Sequence, residues 1–195
     1  MERLGLNAAD KNSMWQLIRS DFLRTAPTFT WPGFFALYFW DETFALVVWY
    51  RITRALSPTG WANPLLLISY LMLQRHIRRT GIRLSRHVQI GPGFRLEHAG
   101  TTFINAAAKI GAQCTFMHNV TIGVSHSPRG KAGVPVLGDR VFVGPNCVLY
   151  GGITIGNDVM IGANSVVNKD VPDGVLVAGA PAEVKSRYPA PAGAS

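Results

Sequence analysis

From Leu137 onward the chain places an aliphatic residue every six positions: Leu137, Val143, Leu149, Ile155, Ile161 and Val167. The fifth place of each six is small or β-branched: Val141, Cys147, Ile153, Val159, Ser165 and Val171. Gly follows the aliphatic residue at 138, 144, 156 and 162. A period of six is neither the 3.6 of a helix nor the 2 of a simple strand. It predicts short strands alternating with tight turns, wound into a parallel β-helix whose coils stack on one another. The pattern begins earlier, with Leu84, Ile90 and Leu96, then Ile104, Ile110, Phe116 and Ile122. Two residues are inserted between Leu96 and Ile104. Ile122 and Leu137 are fifteen apart, which is no whole number of sixes, so 124–136 is predicted as a projecting loop. Loops thrown out of a regular solenoid commonly carry function.

Residues 1–80 lack the sixfold pattern. Lys11 to Arg24 has apolar residues at helical spacing (Met14, Trp15, Leu17, Ile18, Phe22), and Pro27 and Pro32 mark a break. Phe34 to Leu56 is a long apolar, aromatic run interrupted by Asp41, Glu42, Arg51 and Arg54. Ser57-Pro58-Thr59-Gly60 is a turn signal, and Pro64 to Arg79 reads as a helix stopped by Gly81. The first run carries charges, and the second is about half the roughly 20 residues a span needs. Two readings remain. The favoured one is a helical cap packed on the coils and on neighbouring subunits. The other is an interfacial segment, within 34–79, that makes peripheral contact with an anionic membrane. The organisation is thus an N-terminal helical segment (1–80), a coil domain (81–187) with its loop, and a disordered tail (188–195).

Composition narrows the function. At 48% hydrophobic and 15% charged, the chain of 195 residues is not a disordered one. The net charge of +8 could favour an anionic partner, but no nucleic-acid motif is present, and nucleic acid is set aside. Cys114 and Cys147 fall on fifth places and read as small core residues. With no basic-then-apolar leader pattern, a cytoplasmic location is expected.

The hexapeptides, the projecting loop, Val167-Asn168-Lys169-Asp170-Val171-Pro172 and Ala178-Gly179-Ala180-Pro181-Ala182 resemble the left-handed β-helix acyltransferases. The nearest branch is serine acetyltransferase and its relatives in exopolysaccharide and capsule gene clusters. The resemblance spans about residues 65–187. It implies a mainly β fold, a left-handed parallel β-helix with a helical N-terminal segment, assembled as a homotrimer. It also implies acetyl-CoA as co-substrate, bound between neighbouring subunits.

Leu96-Glu97-His98-Ala99-Gly100 resembles the family's Asp-His-Ala/Gly triplet, whose His is the general base. An alcohol attacking a thioester must lose its proton, and imidazole is suited to take it. Glu97 stands where the family has Asp, and is assigned to orient His98, stabilise the imidazolium or contact the acceptor. His118 lies twenty residues after His98, one coil of eighteen plus the two inserted, so the two should stack on one face about 5 Å apart. Acceptor contact and structural filler are equal readings for His118. His126, in the loop, is the runner-up base. His76 and His87 read as structural. No metal site is argued, because no carboxylate or Cys accompanies the histidines at ligand spacing.

Gly144, Gly156 and Gly162 would let a pantetheine arm approach the backbone, although tight turns need Gly in any case. Ala163 and Lys169 are carried over by resemblance, the Lys as a partner for CoA phosphates. The family's His-Pro pair after the loop is Val134-Pro135 here, and its acidic residue at the position of Arg83 is absent. A zwitterionic amino acid calls for fixed charges of both signs, whereas a sugar hydroxyl needs neither. The favoured acceptor is therefore a sugar in surface-polysaccharide assembly, small or lipid-linked. Serine O-acetylation is the alternative, and a non-catalytic scaffold is the third reading.

Overall fold

The computed structural model describes residues 13–57, 63–126 and 130–187. Four helices come first: α1 (Met14–Phe22), α2 (Trp31–Trp40), α3 (Glu42–Leu56) and α4 (Pro64–Thr80). The run from Phe34 to Leu56 is thus broken between two helices. Asp41 ends α2, and its carboxylate accepts from the N–H groups of Thr43 and Phe44, capping α3. Pro32 lies inside the first turn of α2, where its missing N–H has no helical partner to lose. Gly81, at φ 74°, closes α4. The turn signal at 57–60 lies largely outside the described residues, as does the 188–195 tail.

The rest is a left-handed parallel β-helix of three sheets. Its first coil holds β1 (Arg83–Leu84), β2 (Gln89–Ile90) and β3 (Arg95–Leu96). The second holds β4 (Phe103–Ile104), β5 (Lys109–Ile110) and β6 (Thr115–Phe116). The third holds β7 (Thr121–Gly123), β8 (Val136–Leu137) and β9 (Phe142–Val143). The fourth holds β10 (Val148–Tyr150), β11 (Thr154–Ile155) and β12 (Met160–Ile161). β13 (Val166–Val167) and β14 (Val175–Ala178) complete the stack, and β15 (Glu183–Arg187) returns antiparallel to β14. The first sheet is β1-β4-β7-β10-β13, the second β2-β5-β8-β11, and the third β3-β6-β9-β12-β14-β15.

Register explains the period of six. Leu84, Ile104, Ile122, Leu149 and Val167 align as one aliphatic column inside the first sheet. All six first-place and all six fifth-place residues from Leu137 to Val171 are buried. The corners rest on a feature the hydrophobic pattern does not show. Gln113, Asn119, Arg140, Asn146, Asp158 and Asn164, all at fourth places, adopt left-handed backbone with φ between 56° and 60°. Asn and Asp tolerate that region better than most side chains.

α3 closes the open end of the prism. The first coil's carbonyls have no coil beneath them, and side chains of α3 supply the donors. Tyr50 donates to Val88 O, Arg51 to Ile90 O and Gly91 O, Arg54 to Val88 O and Thr43 to Leu96 O. This is how an exposed sheet edge is covered. Arg51, 2% exposed, also pairs with buried Asp21 of α1 at 2.9 Å, and Asp21 in turn accepts from Phe94 N–H. This packing is the coil contact of the favoured cap reading. Among the described residues no helix is long and apolar enough to cross a membrane.

Candidate active site

The edge between the third and first sheets carries the two inserted residues. His98 sits there, exposed, in the enlarged turn joining β3 to β4. The turn is held at several points. Gly100 N–H donates to Thr80 O, Thr102 N–H to Gly100 O and Thr101 N–H to Asn119 Oδ1. The end of α4 therefore braces the turn from below and the next coil braces it from above. A Cβ on Gly100 would lie 3.0 Å from both His118 Cβ and Asn119 Oδ1, so a side chain there would push the two turns apart.

One coil up, half-buried His118 occupies the matching turn between β6 and β7. The two imidazole rings lie 5.9 Å apart, tilted by 55°. Pro145 and Ala163 continue this third-place column up the same edge. Beside it runs a ladder of fourth-place asparagines: Asn119 Nδ2 donates to Asn146 Oδ1 and Asn146 Nδ2 to Asn164 Oδ1. The Asn ladder was missed from the sequence. Its signal was there: Asn146 and Asn164 are eighteen apart, with Asn119 one coil and the loop insertion earlier.

The candidates divide among three edges. His98, His118, Gly144, Gly162 and Ala163 share the third–first edge, with Ala163 three coils, or about 14 Å, above His98. Gly156 lies on the second–third edge. Lys169 and His126, both exposed, lie on the first–second edge. The glycines also meet a packing demand: a Cβ on Gly144 would stand 2.8 Å from Ala163 N and one on Gly162 3.0 Å from Ala178 Cβ. Close stacking of coils therefore requires Gly144 whatever binds there.

Glu97 pairs with Arg95 at 2.9 Å. Among the described residues neither ring nitrogen of His98 has a hydrogen-bond partner, and none of the described carboxylates orients the imidazole. The loop starts at a two-residue antiparallel bridge, Ser125 with Gly133, next to His126. It lies back along its edge, where Gly152 N–H donates to Lys131 O and Lys131 pairs with Asp170. A Cβ on Gly152 would collide with Ala132 O, which accounts for the Gly151-Gly152 pair. Residues 127–129 lie outside the description. The thiols are inert by position: burial pushes Cys114 up to about 12 and also raises Cys147. Among the described residues no three His, Cys, Asp or Glu side chains converge as a metal site would need.

Coils of this kind define a class, and residues 135–169 match the family model "Bacterial transferase hexapeptide (six repeats)". The chain is 36% identical over 155 residues to the serine acetyltransferase of Helicobacter pylori strain J99, covering 78% of this chain and 81% of that one. It is 33% identical over 166 residues to that of Mycobacterium tuberculosis, covering 85% of this chain but 66% of the longer relative. A crystal structure of Brucella abortus serine acetyltransferase in complex with coenzyme A superposes with a TM-score of 0.74 at 23% identity, over 94% of this chain and 72% of that one. This chain belongs to the serine acetyltransferase family of hexapeptide-repeat transferases.

Proposed function

We propose that this protein is an acetyl-CoA-dependent O-acetyltransferase whose acceptor is the hydroxyl of serine. The observation that carries it is the pairing of exposed His98 with half-buried His118 on the same edge as Gly144, Gly162 and Ala163, in a chain whose relatives are serine acetyltransferases. The sugar acceptor favoured by the charge argument gives way here, because no relative reported above carries such a name.

In this reading His98 takes the proton of the acceptor hydroxyl as its oxygen attacks the thioester carbonyl. A C–O bond forms and a tetrahedral oxyanion results. Its collapse breaks the C–S bond, and the leaving thiolate recovers the proton from the imidazolium. His118 lies within reach of the same hydroxyl. Backbone N–H groups near the edge are the candidate donors to the oxyanion. Glu97, held by Arg95, acts on charge near the acceptor rather than as a direct partner of His98.

The separation of Lys169 and His126 from the edge of His98, His118, Gly162 and Ala163 supports a homotrimer. In that assembly one protomer's loop edge, with His126 and Lys169, would face the next protomer's histidine edge. Gly162 and Ala163 then line the pantetheine arm from one side, and Lys169 of the neighbour meets its phosphates from the other.

A saccharide acceptor at a membrane surface is the second reading. α2 exposes Trp31 (57%), Phe35 (51%), Phe39 (73%) and Trp40 (88%), a surface suited to the headgroup region of a bilayer. The deciding experiment follows thiol release from acetyl-CoA with L-serine, with nucleotide sugars and with lipid-linked saccharides. Release stimulated by L-serine supports the first reading. Release stimulated by a saccharide alone overturns it.

A further inference from the structure

A groove of 780 Å³ opens between α4 and the first two coils, on the outer face of the first sheet. Its polar lining includes Tyr70 and Arg78 of α4, Arg83, Arg86 and His87 of the first coil, and Asn105 of the second. Three guanidinium groups thus border one space, and no lining residue carries a carboxylate. Arg78 and Arg83 are exposed, and among the described residues neither side chain has an ion-pair or hydrogen-bond partner. Neighbouring Arg79 differs: it pairs with Glu42 at 2.7 Å. The Arg86 guanidinium lies 5.8 Å from the centre of the Tyr70 ring, which fixes a flat cationic wall on one side. Phe103, 42% exposed, supplies a second ring face on the sheet side.

Like charges crowded in a cleft with apolar walls focus a positive potential into it, and a bound anion relieves their repulsion. Guanidinium forks fit phosphate oxygens two at a time, a geometry lysine does not offer. The two aromatic faces fit a flat organic group attached to that phosphate. We propose that this groove binds a phosphate-bearing small molecule, with Arg78 and Arg83 holding the phosphate oxygens and Tyr70 and Phe103 flanking the organic part. The site lies on the face of the first sheet and its edge with the second, and does not include the column of His98, His118 and Ala163. It stands independently of which hydroxyl is acetylated.

The test is calorimetric titration of the whole chain with uridine diphosphate and, separately, with inorganic pyrophosphate, at about 50 mM salt, where screening is modest. Saturable binding, one ligand per chain, is expected for uridine diphosphate. Arg78→Gln and Arg83→Gln should each weaken it about tenfold, the loss of one charge-assisted contact. Arg75→Gln removes an equal charge from the same helix outside the groove and should change binding less than about twofold. Tighter binding of the nucleotide than of pyrophosphate assigns a role to the rings; equal binding assigns the site to the phosphate alone. His98→Ala should bind as the parent does, so a failed transferase reading leaves this result standing. Absence of saturable heat at millimolar ligand, or equal weakening by Arg75→Gln and Arg83→Gln, overturns the proposal.

Discussion

Replacing Arg51 by Met should cost more stability than any exposed substitution in the chain. Arg51 is buried, and its guanidinium has four short contacts: Asp21 at 2.9 and 3.1 Å, Ile90 O at 2.7 Å and Gly91 O at 2.6 Å. Met fills much of the same volume and supplies no donor. It leaves a buried carboxylate holding its bond from Phe94 N–H but no cation, together with two strand carbonyls at the end of the prism. Breaking a buried pair from one side costs about 3–5 kcal/mol, and each orphaned buried acceptor costs about 1–3 kcal/mol. These overlap, and about 4–6 kcal/mol is the expected total. That is comparable with the whole stability of many domains, about 5–15 kcal/mol. Urea unfolding followed by circular dichroism measures it, at one protomer concentration throughout because assembly adds to stability. The companion variant is Asp21→Leu with Arg51→Met. It removes the stranded charge and should recover at least about 2 kcal/mol relative to Arg51→Met alone. A single variant that loses less than 1 kcal/mol, or a double variant no more stable than the single, would refute the view that α3 caps the coils through this ion pair.

Three further outcomes follow from the same geometry. Gly152→Val should lower stability by about 2 kcal/mol and raise proteolysis of the 124–136 loop, because the side chain displaces Ala132 O from its bed; unchanged proteolysis would count against that packing. Both thiols should resist a disulfide reagent in the native protein and react only on unfolding, since burial raises both and Cys114 to about 12; a fast-reacting thiol would contradict their inward placement. Burial, then Arg79 and Arg75, push His76 below its ordinary value, so the unfolded chain binds the extra proton as pH falls below about 6.5. The stability due to neutral His76 is present above that pH and is lost on acidification, and His76→Leu should show a smaller fall in urea midpoint between pH 7.5 and 5.5.

The coil domain was legible because burial on every first and fifth place from Leu137 to Val171 repeats without exception, and that repetition is what an inward column of side chains imposes. His98 and His118 were placed correctly relative to each other by counting alone: eighteen residues per coil plus two inserted. The N-terminal region was harder. Asp41 looked like an interruption of one apolar run, whereas its carboxylate caps a new helix, a role decided by backbone N–H groups that no hydrophobic pattern reports. Arg51 read as a charge in an apolar run, and its meaning depends on Asp21 and two coil carbonyls far away in sequence. The groove arginines were missed for the same reason, since Arg78 and Arg83 come together only when α4 folds over the first coil. The motif places Glu97 next to His98 and is silent about its ion pair with Arg95, which only the folded coil displays.

The measurement that tests the central claim most directly is serine-dependent thiol release from acetyl-CoA by the parent chain and by His98→Ala. The account predicts release that requires L-serine, and a fall of at least about a hundredfold in the variant, with its urea midpoint unchanged. Full transfer activity in His98→Ala would contradict the assignment of the base.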